Sequence, residues 1–402
     1  MEHGSHCSSQ ARSLQVLLWG LGLAGFLVNA DNRAVAPVLP AIANDLAVRE
    51  AAAGLLVSAF SIPYGLFQLI YGPIADRAGK IRTILAALAL FSAADIACSF
   101  ADSFPSLFVL RIVSGTFAAG IIPTSLAQIG DSFAFEERQT AISFFMSLAM
   151  SGQALGIVIG SMLAQFFSWK IMFLSVGLAG AAAVVLFVKQ RAAAPANPAS
   201  QESIPLRERY RRIFAGAQSW ILFFAVCLEG AVLFGGFTYL GIYGNRVLGL
   251  TYFAVGLITA GFSLAAFAGS RFVNAALKKV GQHRMPALGS AILTLAFALI
   301  WLVPHWAALL AGFLILGLGY IFLHTTLQTY ATELLPEARG TCMSLFAFFL
   351  FLGNGIGPAG LGWLYDLGGA SAMLAGTTLA LFIYTLFCWA AFRQRFIRFS
   401  GA

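Results

Sequence analysis

Charge is scarce in this sequence. Asp, Glu, Lys and Arg make up 10% of its 402 residues, where a soluble domain carries about a quarter. Such a chain cannot clothe a water-facing surface, but a bilayer removes that demand. Alternating ten-residue strands are missing as well, which excludes a transmembrane β-barrel. Cysteine is sparse and scattered. Cys7, Cys98, Cys227, Cys342 and Cys388 show neither metal spacing nor a disulfide framework, and read as small buried hydrophobes. No Walker lysine motif, glycine-rich phosphate loop, metal cluster or nucleophile triad is present. ATP hydrolysis and membrane-embedded catalysis are therefore not expected, nor is any cofactor. The polar start, residues 1–13, lacks a signal-peptide cleavage pattern.

What is present is hydrophobicity, 59% of the chain. It falls in runs of about 20 residues, enough to cross roughly 30 Å of hydrocarbon as a helix. Twelve spans are expected, at 14–43, 51–74, 81–100, 105–130, 138–166, 169–188, 219–243, 250–272, 285–303, 306–331, 339–365 and 371–392. The fold class is thus an all-α polytopic membrane protein made of two pseudo-symmetric six-helix bundles. Residues 14–188 form the first bundle and 219–392 the second. Residues 189–218 form a cytoplasmic linker, with tails at 1–13 and 393–402.

The net charge of +8 does not point to nucleic acid, because the basic residues cluster between the runs. Of 24 Lys and Arg, nineteen lie in segments on the amino-terminal side of the membrane. Arg49, Lys170 and Arg246 lie opposite, and Arg33 and Arg111 fall within spans. That bias places both termini in the cytoplasm. A shift of about 202 residues also relates the halves. It lays Asp76-Arg77-Ala78-Gly79 on Lys278-Lys279-Val280-Gly281, and Ser151–Gly160 on Gly353–Gly362. Repeated halves enclosing a site are a known transporter design.

Between the second and third spans stands Gly72-Pro73-Ile74-Ala75-Asp76-Arg77-Ala78-Gly79-Lys80-Ile81-Arg82. It resembles the major facilitator signature Gly-x-Leu-Ala-Asp-Arg-x-Gly-Arg-Lys. Lys80 replaces Arg, and Ile81 stands where a second basic residue is usual, with Arg82 next to it. Arg111-x-x-x-Gly115 is similar to a second signature of that superfamily, whose Arg is linked to proton transfer. Asp31 through Pro40 resembles the first-helix motif of its twelve-helix drug:proton antiporters. The resemblance implies a gate built from Gly72, Asp76, Arg77, Gly79, Lys80 and Arg82. A carboxylate at the inner end of the fourth span joins it, the position of Asp131, followed by Arg138. One departure stands in the fifth span, where Gly152, Gly156 and Gly160 occur without the antiporters' Gly-Pro pair. A Gly357-Pro358 pair lies instead in the eleventh span.

Ionisable groups inside hydrocarbon cost several kcal/mol and are functional candidates by default. Glu229 lies about 15 Å into the seventh span at 1.5 Å per residue. It reads as a proton-coupling or substrate-charge group, or a hydrogen-bonded structural one. Asp31 sits mid-span as a protonatable site. Arg33, about 200° further round the helix, points elsewhere and either pairs with another helix or binds an anionic group. Arg111 holds a carboxylate or snorkels to the interface. His324 titrates or serves structure. Asp95 reads as structural. Tyr64, Gln68, Gln128, Gln153, Tyr239 and Gln328 are candidates to line a substrate cavity.

The expectation is a proton-coupled exporter of amphipathic small molecules or drugs, working by alternating access. It is expected as a monomer in the bacterial inner (plasma) membrane, with small-molecule substrate, protons and lipid as its partners. The alternative on the same fold is a lipid or lysolipid translocator, or a proton-coupled importer of an anionic metabolite.

Overall fold

The computed structural model describes residues 2–133, 135–190 and 205–392, with side chains from Leu14 onward apart from residues 135, 136, 189, 190 and 206. The expected tail 393–402, linker stretch 191–204 and the side chains of segment 1–13 lie outside the described residues. The apolar runs are helices, because only internal hydrogen bonding satisfies the backbone in hydrocarbon. They are α1 (Glu2–Asp45), α2 (Glu50–Ala78), α3 (Lys80–Cys98), α4 (Phe104–Ser132), α5 (Phe135–Phe166), α6 (Trp169–Gln190), α7 (Ala217–Arg246), α8 (Tyr252–Val280), α9 (Gln282–Leu302) and α10 (Trp306–Glu333). A final continuous stretch, Arg339–Ala391, is 53 residues long, too long for one crossing. It folds back where Gly368 and Gly369 leave helical geometry, Gly369 at φ 66° and ψ −161°. That turn divides it into α11 (339–367) and α12 (370–391), completing twelve spans.

Three local features depart from uniform spans. The backbone of α1 is helical from Glu2, so residues 2–13 of the expected tail extend the helix that carries the first span, Leu14–Asp45. In α4 the helix is interrupted at Ala119 and Gly120. Pro123, four residues after Ala119, has no N–H to offer that carbonyl. In α7, Glu229–Phe234 forms a π-helical turn, a feature concentrated at functional sites.

The 202-residue repeat is written in the backbone. Arg49 and Thr251 precede α2 and α8 with φ/ψ of −67°/150° and −67°/155°. Gly79 and Gly281 follow these helices at 90°/133° and 84°/144°. Ser103 and His305 cap α4 and α10 at −144°/151° and −142°/146°. The positive φ at Gly79 and Gly281 is a conformation that only glycine adopts without strain. A single residue therefore reverses the chain at both places.

The halves meet along α1 with α7, α2 with α11, and α5 with α8. At the end away from the termini they are joined by ion pairs. Arg49 meets Asp366 at 2.7 Å and Arg246 meets Glu50 at 2.9 Å, with Arg246 also donating to Asn44. There the Tyr252 N–H donates to Gln165 at 2.9 Å. At mid-depth the Asn354 amide donates to Ser61 at 2.9 Å. At the opposite end lies a linker helix, Leu206–Ala215. Its Ile213 is buried against Phe223, Leu335, Ala338, Cys342 and Leu345, while Arg207, Arg211 and Arg212 face outward.

Candidate functional site

Two buried ionic clusters occupy the interior, one per half. In the first, Arg111 of α4 donates through Nη1 to both carboxylate oxygens of Asp31 on α1, at 2.8 and 2.7 Å. Asp95 of α3 stands 3.9 Å from the same guanidinium and accepts from Ser114 Oγ at 2.8 Å. The guanidinium lies over the Phe60 ring at 4.4 Å and near Phe173 at 5.3 Å. Each of the three charged side chains is at most 1% exposed. Ions taken out of water at this cost persist only in pairs with good geometry, and guanidinium faces aromatic rings favourably. Two polar atoms of the cluster, Asp95 Oδ2 and Arg111 Nε, have no hydrogen-bond partner among the described residues.

In the second half, Glu229 opens the π-helical turn of α7 and is fully buried. Its Oε1 is hydrogen-bonded to His324 Nδ1 of α10 at 2.9 Å, and its Oε2 has no partner among the described residues. His324 stacks on Tyr320 at 4.7 Å and meets Phe346 edge-on at 5.2 Å. The turn itself packs hard on α11, since a Cβ at Gly230 would collide with the Leu350 carbonyl oxygen. The wide turn and the close helix contact fix where the carboxylate points.

Arg33 lies between the clusters. It is half-buried and reaches from α1 across the seam to α7, its guanidinium 4.1 Å from the Phe234 centroid and 5.8 Å from Phe237. Phe234 in turn meets Tyr320 at 5.6 Å, and Phe237 meets Phe262 and Phe313 at 5.3 Å each. Arg33 has no ion pair among the described residues. A cation on an aromatic wall, with a half-partnered carboxylate on the other side of Tyr320, can hold an apolar ligand bearing a polar group.

The remaining sequence candidates separate by position. Tyr64 is buried and meets Phe351 of α11 at 4.4 Å. Gln68 is buried, and Gln153 and Gln328 are half-buried. Gln128 donates to Ser132 Oγ at 2.8 Å within its own helix. Tyr239 differs from a cavity-lining expectation. It is fully buried, donates to the Pro358 carbonyl at 2.8 Å and stacks on Tyr365 at 5.7 Å, so packing holds it as a strut between α2, α7 and α11.

In the expected gate, Lys80 pairs with Asp131, both half-buried, joining α3 to α4 within the first half. Gly72, Asp76, Arg77 and Gly79 are exposed and Arg82 is exposed beside them. Asp76 and Arg77 make no ion pair among the described residues, and the ion pair at this motif is that of Lys80 with Asp131. Arg138 donates to the Phe133 carbonyl at 3.5 Å. Asp95, which the sequence reads as structural, is brought by α3 to the Asp31–Arg111 pair; its one sequence signal is an acid in an apolar run.

A family model described as Major Facilitator Superfamily matches residues 21–358 and 248–397. Multidrug resistance protein 1 of Bacillus subtilis (strain 168) is 25% identical over 363 residues, covering 89% of this chain and 92% of that protein. The hexuronate transporter of the same organism is 27% identical over 397 residues, covering 92% of each. Among solved structures, a bacterial homologue of the human lysosomal transporter Spinster, inward-facing and unoccupied, aligns with a TM-score of 0.83. That alignment has 19% identity and covers 95% of this chain and 97% of that one.

Proposed function

The chain belongs to the major facilitator superfamily of membrane transporters, and we propose that it is a proton-coupled exporter of amphipathic small molecules working by alternating access. The observation that carries the reading is a pair of buried acids, one in each half: Glu229, held by His324 through one oxygen only, and Asp31, held through both oxygens by Arg111. A buried acid exchanges a proton only when its surroundings change, and rocking of two bundles supplies that change. Glu229 binds the proton through its open Oε2, and His324 fixes the carboxyl by its other oxygen. Arg111 holds Asp31 until a proton displaces it. The aromatic wall of Phe234, Phe237 and Tyr320 accepts the apolar body of the substrate.

The ion pairs at the end away from the termini close that side. The positive-inside bias supports reading this closed side as outward and the motif around Asp76 as cytoplasmic, and an inward-facing form is the reading that goes with it. In the outward-facing form, Asp76 with Arg77 and Arg82 latches the inner side. The site is complete within one chain, and a monomer in the bacterial inner membrane is the proposed working unit. Export is supported by the relative named a multidrug resistance protein. Transmembrane voltage supplies about 2.3 kcal/mol per 100 mV to an entering proton.

The test is pH-gradient transport in proteoliposomes. Glu229→Gln is expected to abolish gradient-driven transport while energy-independent counterflow persists. Full gradient-driven transport in that variant removes Glu229 from the mechanism. A second reading, import of an anionic metabolite, is favoured by Arg33, which has no ion pair among the described residues, and by the hexuronate transporter among the relatives. Comparing a cationic dye with a carboxylate sugar as substrates separates the two.

A further inference from the structure

The triad of Asp31, Arg111 and Asp95 contains two acids for one base. With both acids ionised it would bury a net negative charge, an arrangement far costlier than a neutral one. One proton on either acid makes the triad neutral. The structure shows which acid is paired: Asp31 takes both short bonds from Arg111 Nη1, while Asp95 Oδ1 is 3.9 Å away. It also shows an unused bond, because Arg111 Nε–H and Asp95 Oδ2 are both without partners among the described residues. Both atoms are buried within the cluster.

We infer that Asp95 is a second proton-binding acid of the first half, and that Arg111 switches between Asp31 and Asp95 as one proton moves between them. In the described state Asp31 is ionised and paired, and Asp95 carries the proton. In the other state Asp31 carries the proton, and Arg111 turns to ionised Asp95. The proton leaves one carboxyl oxygen and joins the other, so both states have the same net charge. Neither state leaves a bare ion in the interior, and the two are therefore close enough in energy to interconvert. The proton on Asp31 then faces the seam, where rocking of the bundles delivers it to one side.

Among the described residues, the surroundings of Asp95 contain no competing base. The α1 helix presents Asp31, α4 presents Arg111 and Ser114, and α2 presents Phe60 beneath the guanidinium. The α6 helix presents Phe173 to the cluster and Gly177 to α3. The Cys98 thiol, one turn along α3, is buried and lies within electrostatic range of the triad. Ser114 orients Oδ1 and leaves Oδ2 open to the proton.

The inference rests on the proton-coupling reading above, and its test separates the two. Gradient-driven transport and counterflow are measured in proteoliposomes across neutral pH for wild type, Asp31→Asn, Asp95→Asn and Asp95→Glu. Asp95→Asn is expected to keep counterflow but lose gradient-driven transport, as Asp31→Asn does. Asp95→Glu is expected to restore it with a pH profile moved by about one unit, a tenfold change in proton affinity. A wild-type pH profile in Asp95→Asn overturns the inference while leaving the coupling reading intact. Gradient-driven transport surviving in Asp31→Asn instead overturns coupling at this cluster altogether. Infrared spectroscopy decides even where Asp95→Asn does not fold. In a Glu229→Gln background, the carbonyl band of one protonated carboxyl is expected with Asp31 present and absent in Asp31→Asn. No such band, or one that persists in Asp31→Asn, overturns the switch.

Discussion

Glu229 and His324 meet through one carboxylate oxygen at 2.9 Å, and the other oxygen is buried without a hydrogen-bond partner among the described residues. The pair joins two helices 95 residues apart in sequence and fixes the acid without saturating it. Removing His324 leaves both oxygens unpartnered. His324→Ala is expected to lower the stability of the detergent-solubilised protein by about 1–3 kcal/mol, read as a fall in thermal midpoint. It is also expected to weaken coupling, whereas Glu229→Gln, which keeps an acceptor for the ring nitrogen, is expected to cost less stability. Equal midpoints for wild type and His324→Ala would show that the hydrogen bond contributes nothing.

Arg111 is the base that holds Asp31, with Asp95 beside it, at a site 1% exposed. Arg111→Ala strands the Asp31 carboxylate and is expected to cost about 3–5 kcal/mol. Combining it with Asp31→Asn removes one stranded charge, so the double variant should be more stable than Arg111→Ala alone. A double-mutant cycle on thermal unfolding reads this coupling. Strict additivity would mean that the residues do not act as a pair.

The ion pairs closing the seam are exposed, Arg49 at 77% and Arg246 at 36%. Pairs of this kind contribute little to stability, about 0–1 kcal/mol. Their expected effect is on the balance of open and closed forms. Arg246→Ala, which loses bonds to Glu50 and Asn44, should leave the thermal midpoint nearly unchanged. It should also raise maleimide labelling of a cysteine placed at Ser61. Conversely, cross-linking cysteines at 49 and 366 should arrest transport, and activity that survives the cross-link would show that this side need not open.

Gly79 has φ 90° and open space where a side chain would point. Gly79→Ala therefore tests backbone strain alone, with an expected cost of about 1–3 kcal/mol. Gly281→Ala, at φ 84°, should cost a similar amount, and the two effects should add because the sites lie in different halves. A stabilised Gly79→Ala protein would mean that the turn does not require its positive φ.

Much of the architecture was legible from the chain alone. Span number and the repeat follow from hydrophobic run lengths and from turn residues such as Gly79 and Gly281, which are local signals. The exceptions were local too. Pro123 breaks α4 through a missing N–H, and the Gly368–Gly369 turn is so tight that α11 and α12 run on almost without interruption. The clusters were legible only as members. Asp31, Arg111, Glu229 and His324 each stood out as ionisable groups in apolar runs. That Asp31 takes Arg111, 80 residues away, depends on how α1 packs against α4, which no spacing records. Asp95 reads from the sequence only as structural, because nothing in its own helix shows that Arg111 and Ser114 reach it. The bond from Tyr239 to the Pro358 carbonyl is likewise recorded by no spacing.

The matching turns at Arg49 and Thr251, Gly79 and Gly281, and Ser103 and His305 copy one frame into two, yet the buried charges are not copied. The residue 202 places after Arg111 is Phe313, and the residue 202 places before His324 is Ile122. The duplicated frame is thus a neutral chassis, and ionic chemistry is a cargo that each half carries separately. A chain built from two copies of the first half should fold with the same hinges, hold two Asp–Arg–Asp triads, and lack any carboxylate–imidazole pair. Its failure or success at moving protons would say how many unlike acids one conformational cycle needs.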